Sequence, residues 1–361
     1  FLNENWTGPI AAMPNAGLPE MVGNEVRYPL EPREFAQIMR NLAQEVDLNI
    51  IGGCCGTTAR HIAELAHALK DFRPAPRENS PPQQAASIFS PVDLSQQPPP
   101  LYIGERANAT GSRKFRACLE EGDYDAAFAV LTAQELSGAH MLDLNCAYAE
   151  GDELEDFEIL VSRAARECRL PLMIDTTNPE VAERALQLYG GRAFINSINF
   201  EDGEERPARV AAMARRFGSG LVGLTIDEEG MARTAGRKVA IAERLVDFCE
   251  EQHGIGRESL FIDPLTFTVA SGDDSLNDAA LETIEAVRRI KKDIPGVRIM
   301  LGASNISFGL KTAARKVINA VFLDMCVKAG MDAAIVNAAQ LAPLNSIDES
   351  ALNLARKLLV N

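Results

Sequence analysis

The sequence predicts an α/β protein built around a closed (β/α)8 barrel. Three observations carry that expectation. From residue 101 onward, short apolar runs alternate with helical stretches in a regular rhythm. There are eight such runs, the number that closes a barrel. Almost every run ends in an acid or an amide, at the strand end where a parallel barrel gathers its ligand groups.

Residues 1–72 precede this pattern with two further strand-and-helix units. A weak strand over 9–12 leads toward an amphipathic helix at 31–46; a strand at 48–51 enters GGCCGTT and a helix over 58–70, with Thr57 or Thr58 as its cap. Two such units cannot close a barrel. The chain lacks an initiator Met and a basic segment before an apolar stretch, so it reads as beginning part-way through something larger rather than with a signal peptide. Residues 73–100 are rich in Pro, Gln and Ser and read as an extended linker marking a domain boundary.

The barrel strands are expected at 101–103, 140–144, 172–174, 193–195, 221–224, 260–262, 298–301 and 333–336. The stretch 171–199 shows the unit most plainly. One apolar run ends in Asp175, a helix follows, and the next run ends in Asn196. The remaining exits carry Glu105 and Asn108, Asp143 and Asn145, Asp227, Asp263, Ser304 and Asn305, and Asn337. Asp and Asn are also common loop starters and helix caps, which is the plainer account of any one position. A last helix, DESALNLARKLLV in the tail 347–361, takes Asp348 as its cap.

Charge and composition exclude several classes of function. A formal charge of −15 over 361 residues repels a phosphate backbone, so neither nucleic acid nor an anionic membrane is expected as a partner. No apolar run approaches the ~20 residues that span a bilayer. Seven cysteines without the spacing of a secreted disulfide framework fit a reducing, cytoplasmic setting. Cys118, Cys168, Cys249 and Cys326 fall on helical stretches as packing residues, whereas Cys146 directly follows the strand-exit residue Asn145. His61, His67, His140 and His253 have no ligand spacing and read as structural.

No His stands at a strand exit, and no HExxH, Walker or GxGxxG pattern occurs. What remains is a pocket of carboxylates and amides. A carboxylate accepts two parallel N–H bonds from an amidine-like edge, as it does from Arg, and a pterin ring has such an edge.

The motifs GERANATGS at 104–112, DLN at 143–145, MIDTT at 173–177, INSI at 195–198 and GASNISFG at 302–309 resemble the folate domain of the cobalamin-dependent methionine synthases. That domain groups with the other pterin-binding barrels, among them dihydropteroate synthase. MPNAGLP at 13–19 and IGGCCGTTARHI at 51–62 resemble the end of the homocysteine domain that precedes it in the same family. The resemblance implies a pterin-binding TIM barrel over 101–346 and, over 1–72, the last β/α units of a truncated second (β/α)8 barrel. It implies that the tail leads toward a cobalamin-binding region of the same polypeptide.

The resemblance also implies roles. Glu105, Asp175, Asn196 and Asp263 would hydrogen-bond the pterin, Asn305 would lie near N5 as the catalytic group, and Asn108, Asp143 and Asp227 would line the same pocket. Ala107 stands where the family often has Thr. Cys54 and Cys55 match two of three Zn2+ thiolates of the homocysteine domain; the third would come from an earlier strand, so this chain alone would hold no tight zinc. Seen without the resemblance, adjacent cysteines are more often a buried thiol pair.

The implied function is binding of 5-methyltetrahydrofolate and transfer of its N5 methyl to cob(I)alamin, one half-reaction of methionine synthesis from homocysteine. The alternatives are a folate-binding module inactive without its partner domains, and a dihydropteroate-synthase-like pterin enzyme.

Overall fold

The computed structural model describes residues 3, 6, 8–76, 83–270, 272–273 and 276–360. The chain divides into two compact units, Phe1–Pro82 and Gln83–Asn361.

In the first unit, β1 (Ala11–Ala12) has Glu20–Val22 (β2) and Glu25–Arg27 (β3) after it, a hairpin the sequence reading did not anticipate. The helix Pro32–Val46 follows, then β4 (Ile50–Ile51) and the helix Ala59–Ala68. Strands β1 and β4 pair in parallel, Ala11 opposite Ile50. The two helices close over a small core of Ile10, Phe35, Met39, Ala43, Leu48 and Leu65. His61 is structural. Its Nδ1 accepts from Thr58 N–H at 3.2 Å to complete the cap of its own helix, and its Nε2 lies 2.9 Å from Leu30 O.

In the second unit, β5 (Gln84–Ala86) and β6 (Pro91–Asp93) form an antiparallel hairpin. Then come the barrel strands, interrupted once by a small ribbon: β7 (Leu101–Asn108), β8 (Met141–Asn145), β9 (Leu172–Asp175), β10 (Phe194–Ile198), β11 (Gly220–Leu224), the ribbon β12 (Ile226–Asp227) and β13 (Gly230–Met231), β14 (Leu260–Asp263), β15 (Arg298–Gly302) and β16 (Ala333–Val336). The eight strands other than the ribbon pair in parallel in sequence order, and β16 pairs with β7 to close the barrel. All eight expected strands are present. Each is buried on both faces, as a parallel sheet requires, so each reads as a continuous apolar run.

Two apolar layers result. Leu142, Leu144, Ile174, Ile195, Leu221 and Ile262 face the outer helices, whereas Ile103, Met141, Met173, Phe194, Val222, Phe261 and Met300 fill the barrel. The final helix, Glu349–Val360, buries Leu352, Ala355 and Leu359 in the outer layer.

The stretch read as a linker differs from that expectation. Residues 77–82 of it lie outside the described residues. From 83 onward it belongs to the barrel unit, where the hairpin seats fully buried Ala85 and Leu94 against the filling of the barrel. Its side chains and main chain bond the chain near the starts of the strands. Gln83 Oε1 accepts from Arg298 at 2.6 Å, Ser87 Oγ donates to Arg169 O at 2.6 Å, and Arg192 reaches Gln84 O. Leu94→Ala opens a cavity in this floor and is expected to destabilise the unit by about 2–4 kcal/mol, measured by denaturant unfolding.

Among the described residues, no helix is long and apolar enough to cross a membrane.

Candidate functional site

The carboxyl ends of the barrel strands surround a cavity of about 870 Å3. Glu105, Asn108, Asp143, Asp175, Asn196, Asp263 and Asn305 all line it, together with Asn145, Ser304, Asn319 and Asn337. No histidine lines it.

Local chain geometry aims these side chains. On β7 the register slips between Gly104 and Ala107, which turns Glu105 and Arg106 out of the plain ladder. The Arg106 N–H freed by the slip donates to Gln134 Oε1 at 2.7 Å, and a Cβ on Gly104 would stand 2.5 Å from that oxygen. A side chain at 104 would therefore have to push Gln134 off this bond. Gly302 plays the same part on β15, where an added Cβ would lie 2.8 Å from Asn305 Nδ2.

Asp143 and Asp175 form the acidic floor. The two carboxyls interact with each other, Asn196 Nδ2 donates to Asp143 Oδ1 at 3.3 Å, and Asn108 Nδ2 donates to Asp175 Oδ2 at 3.2 Å. Asn145 Nδ2 donates to the Asp175 carbonyl at 3.1 Å and fixes the strand end. Burial and the neighbouring charge of Asp175 push Asp143 well above the usual carboxylate range; burial pushes Asp175 up to about 6. Both carboxyls of the pair therefore hold a proton more readily than a solvated carboxylate does.

Asp263 stands on the opposite side of the barrel, at the end of β14. Its Oδ1 accepts the Leu265 N–H at 2.7 Å, and burial raises it to about 6 against the opposing pull of Lys238. Glu105 is also raised by burial, with the Ser304 hydroxyl and Arg315 acting the other way. Asn319 Oδ1 is buried without a hydrogen-bond partner among the described residues. The cavity thus presents carboxylates on two opposite sides with amides beside the Asp143–Asp175 pair, and no nucleophile–base pair among the described residues.

Asp227 departs from its expected place. It is not among the cavity-lining residues; it sits in the β12–β13 ribbon and pairs with Arg237, which also holds Glu229. Sequence reasoning missed Asn319, whose setting in the apolar run VINAVFL was its signal, and the cations at the mouth. Arg106, Arg113, Lys114, Arg315 and Lys316 line the cavity, and no ion pair engages them among the described residues.

Cys54 and Cys55 are in the first unit. Both are exposed rather than buried, their Sγ atoms are 3.8 Å apart, and the Tyr28 phenol is raised by its own burial and by the two thiols. Thiolates suit zinc, but a structural site takes four ligands. Among the described residues no group of three His, Cys, Asp or Glu is placed to hold a metal ion. The two cysteines do not make a metal site by themselves among the described residues.

The pterin binding enzyme family matches residues 104–337, and the homocysteine S-methyltransferase family matches residues 2–69. The chain is 43% identical over 353 residues to the methionine synthase of Mycobacterium tuberculosis, covering 97% of this chain and 30% of that protein. It is 40% identical over 349 residues to the methionine synthase of Mycobacterium leprae, covering 94% and 29%. It thus spans about three tenths of the length of these curated relatives.

Among solved structures, dihydropteroate synthase of Xanthomonas albilineans with 4-aminobenzoic acid aligns at a TM-score of 0.52 and 17% identity, over 78% of this chain and 100% of that one. The same enzyme with indole-2-carboxylic acid and 6-chloroguanine gives 0.52 and 16%, over 78% and 98%. At these identities the likeness is one of fold.

Proposed function

The chain belongs to the pterin binding enzyme family, and from that premise we propose that its barrel binds 5-methyltetrahydrofolate and presents the N5 methyl for transfer to cob(I)alamin. This would be one half-reaction of methionine synthesis from homocysteine. The observation that carries the reading is the convergence of Asp143, Asp175, Asn196 and Asp263 on one cavity, next to a sequence match to homocysteine S-methyltransferases.

In this reading the ionised Asp175 accepts the paired N–H groups of the pterin edge, with the Asp143 carboxyl beside it. Asp263 and Asn196 meet the ring's remaining polar edges. Asn305, projecting over Gly302, reaches the N5 side. Cobalamin, carried by another region of the full-length protein, supplies the methyl acceptor. When the N5–CH3 bond breaks, its electron pair stays on N5, and an amide anion is too poor a leaving group. A proton must reach N5 by the transition state. A carboxamide does not titrate in this range, so Asn305 orients that proton and solvent delivers it through the polar lining. Positioning supplies much of the remaining rate.

The five cations lining the cavity suit the carboxylates of a folate tail, in a chain whose net charge is −15. Affinity for 5-methyltetrahydrofolate is expected to fall severalfold between 50 and 500 mM salt as that attraction is screened. Affinity for the bare pterin, titrated in parallel, should change little.

Dihydropteroate synthases share the fold, but the homocysteine S-methyltransferase match at 2–69 favours the methyl-transfer reading. The zinc and homocysteine roles belong, in this proposal, to the complete protein. The test is a pair of assays on the purified chain. Saturable binding of 5-methyltetrahydrofolate without condensation of pterin pyrophosphate with 4-aminobenzoate is the expected result. Condensation would overturn the proposal.

A further inference from the structure

Lys238 is a buried charge with no part in the reading above. It lies in the helix Ala235–Asp247 and is fully enclosed. An ammonium stripped of water needs partners. Those it has are neutral: Leu265 O at 3.0 Å, Thr283 Oγ1 at 2.8 Å, and the ring of Phe267 with its centroid 5.3 Å away. Thr283 Oγ1 in turn donates to the same Leu265 carbonyl at 3.0 Å.

Leu265 is the hinge of this arrangement. Its φ of 64° is left-handed, a conformation that a bulky side chain holds only where its surroundings impose it. With its carbonyl clamped by two donors from neighbouring helices, its N–H is turned to Asp263 Oδ1, 2.7 Å away. Lys238, Thr283, Leu265 and Asp263 form one hydrogen-bonded chain that ends in the cavity.

We propose that Lys238 is a positioning residue for the ligand: it fixes the Leu265 turn and, through it, the direction in which the Asp263 carboxylate faces the bound ring. The inference rests on the folate reading of the cavity. Charge works in the same sense. The ammonium opposes the upward push of burial on Asp263, while burial brings Lys238 itself down to about 8 against the pull of Asp263, Glu282 and Cys326.

The test is a double-mutant cycle on the full chain, read as equilibrium affinity for 5-methyltetrahydrofolate. Lys238→Met is expected to weaken binding about tenfold, the scale of one charge-assisted hydrogen bond. Combined with Asp263→Asn it should add almost nothing, because Lys238 acts on the ligand only through the carboxylate that Asp263→Asn removes. A merely structural lysine would give losses that multiply, and that outcome, or an unchanged affinity in Lys238→Met, overturns the inference. Should Lys238→Met fail to fold, Thr283→Val removes the other donor to Leu265 and is read in the same cycle with the same two outcomes. If Asp263→Asn alone leaves the affinity unchanged, the assignment of Asp263 to the pterin falls as well. Multiplying losses beside a weakened Asp263→Asn overturn only the role of Lys238.

Discussion

Asp175→Ala is expected to lower the affinity for 5-methyltetrahydrofolate by about 100-fold, since it removes two charge-assisted hydrogen bonds to the ring edge. Asn196→Ala should act in the same direction with a smaller effect. The pH dependence follows from the same carboxylate. Burial raises Asp175 to about 6, so the protonated form is the one the empty cavity favours. Protonation therefore stabilises the ligand-free fold fully below the ordinary carboxylate range, and that contribution is lost as pH rises through about 6. A ring that donates two N–H groups needs the ionised form, so proton and ligand compete. Affinity, and the thermal stabilisation that the ligand confers, should rise from pH 5 to pH 7 in the native chain. In Asp175→Asn that rise should flatten, leaving only the part contributed by Asp263, which titrates in the same range. Isothermal titration at both pH values checks this; an unchanged affinity in both Asp175→Ala and Asn196→Ala would overturn the pterin assignment.

The second large effect is kinetic. Asn305→Ala should slow methyl transfer by about 100-fold while changing the affinity for the folate by less than about threefold. Asn305 enters the cavity beside Gly302 and, in this account, meets N5 chiefly as charge changes there. A single-turnover measurement at saturating folate separates the two quantities. A large loss of affinity with an unchanged turnover rate would make Asn305 a binding residue only.

Much of the barrel could be read from residue order, because strands buried on both faces write themselves as apolar runs and every run here carries one. Asp143, Asp175, Asn196 and Asp263, which the strand-exit argument expected to face a common pocket, line the cavity for a geometric reason. Each lies within the last residues of its strand, so the sheet itself fixes its direction. Asp227 lies three residues beyond the end of β11, far enough for the chain to turn into the β12–β13 ribbon and for Arg237 to claim the carboxylate. Counting polar residues after a strand is thus weaker than counting those on its last turn of the ladder.

Two further misses have physical causes. The Pro, Gln and Ser composition of 73–100 read as an extended linker, but polarity alone did not show that Gln83 and Ser87 would bond near the strand starts and seat Leu94 in the barrel floor. Lys238 reads by type as a solvated helix residue. Its spacing to Ala242 and Leu245 places it on the buried face, and in this case the spacing was the better guide.

The central claim is that this cavity holds a reduced folate in position to give up its methyl group. Its most direct test is to incubate the chain with 5-methyltetrahydrofolate labelled in the methyl group and with free cob(I)alamin as acceptor, and to follow the label. The account predicts that label reaches the acceptor as an equal amount of tetrahydrofolate appears, and that Asn305→Ala slows both together. Saturable folate binding with all label retained on the folate would contradict it and leave the barrel a binding module.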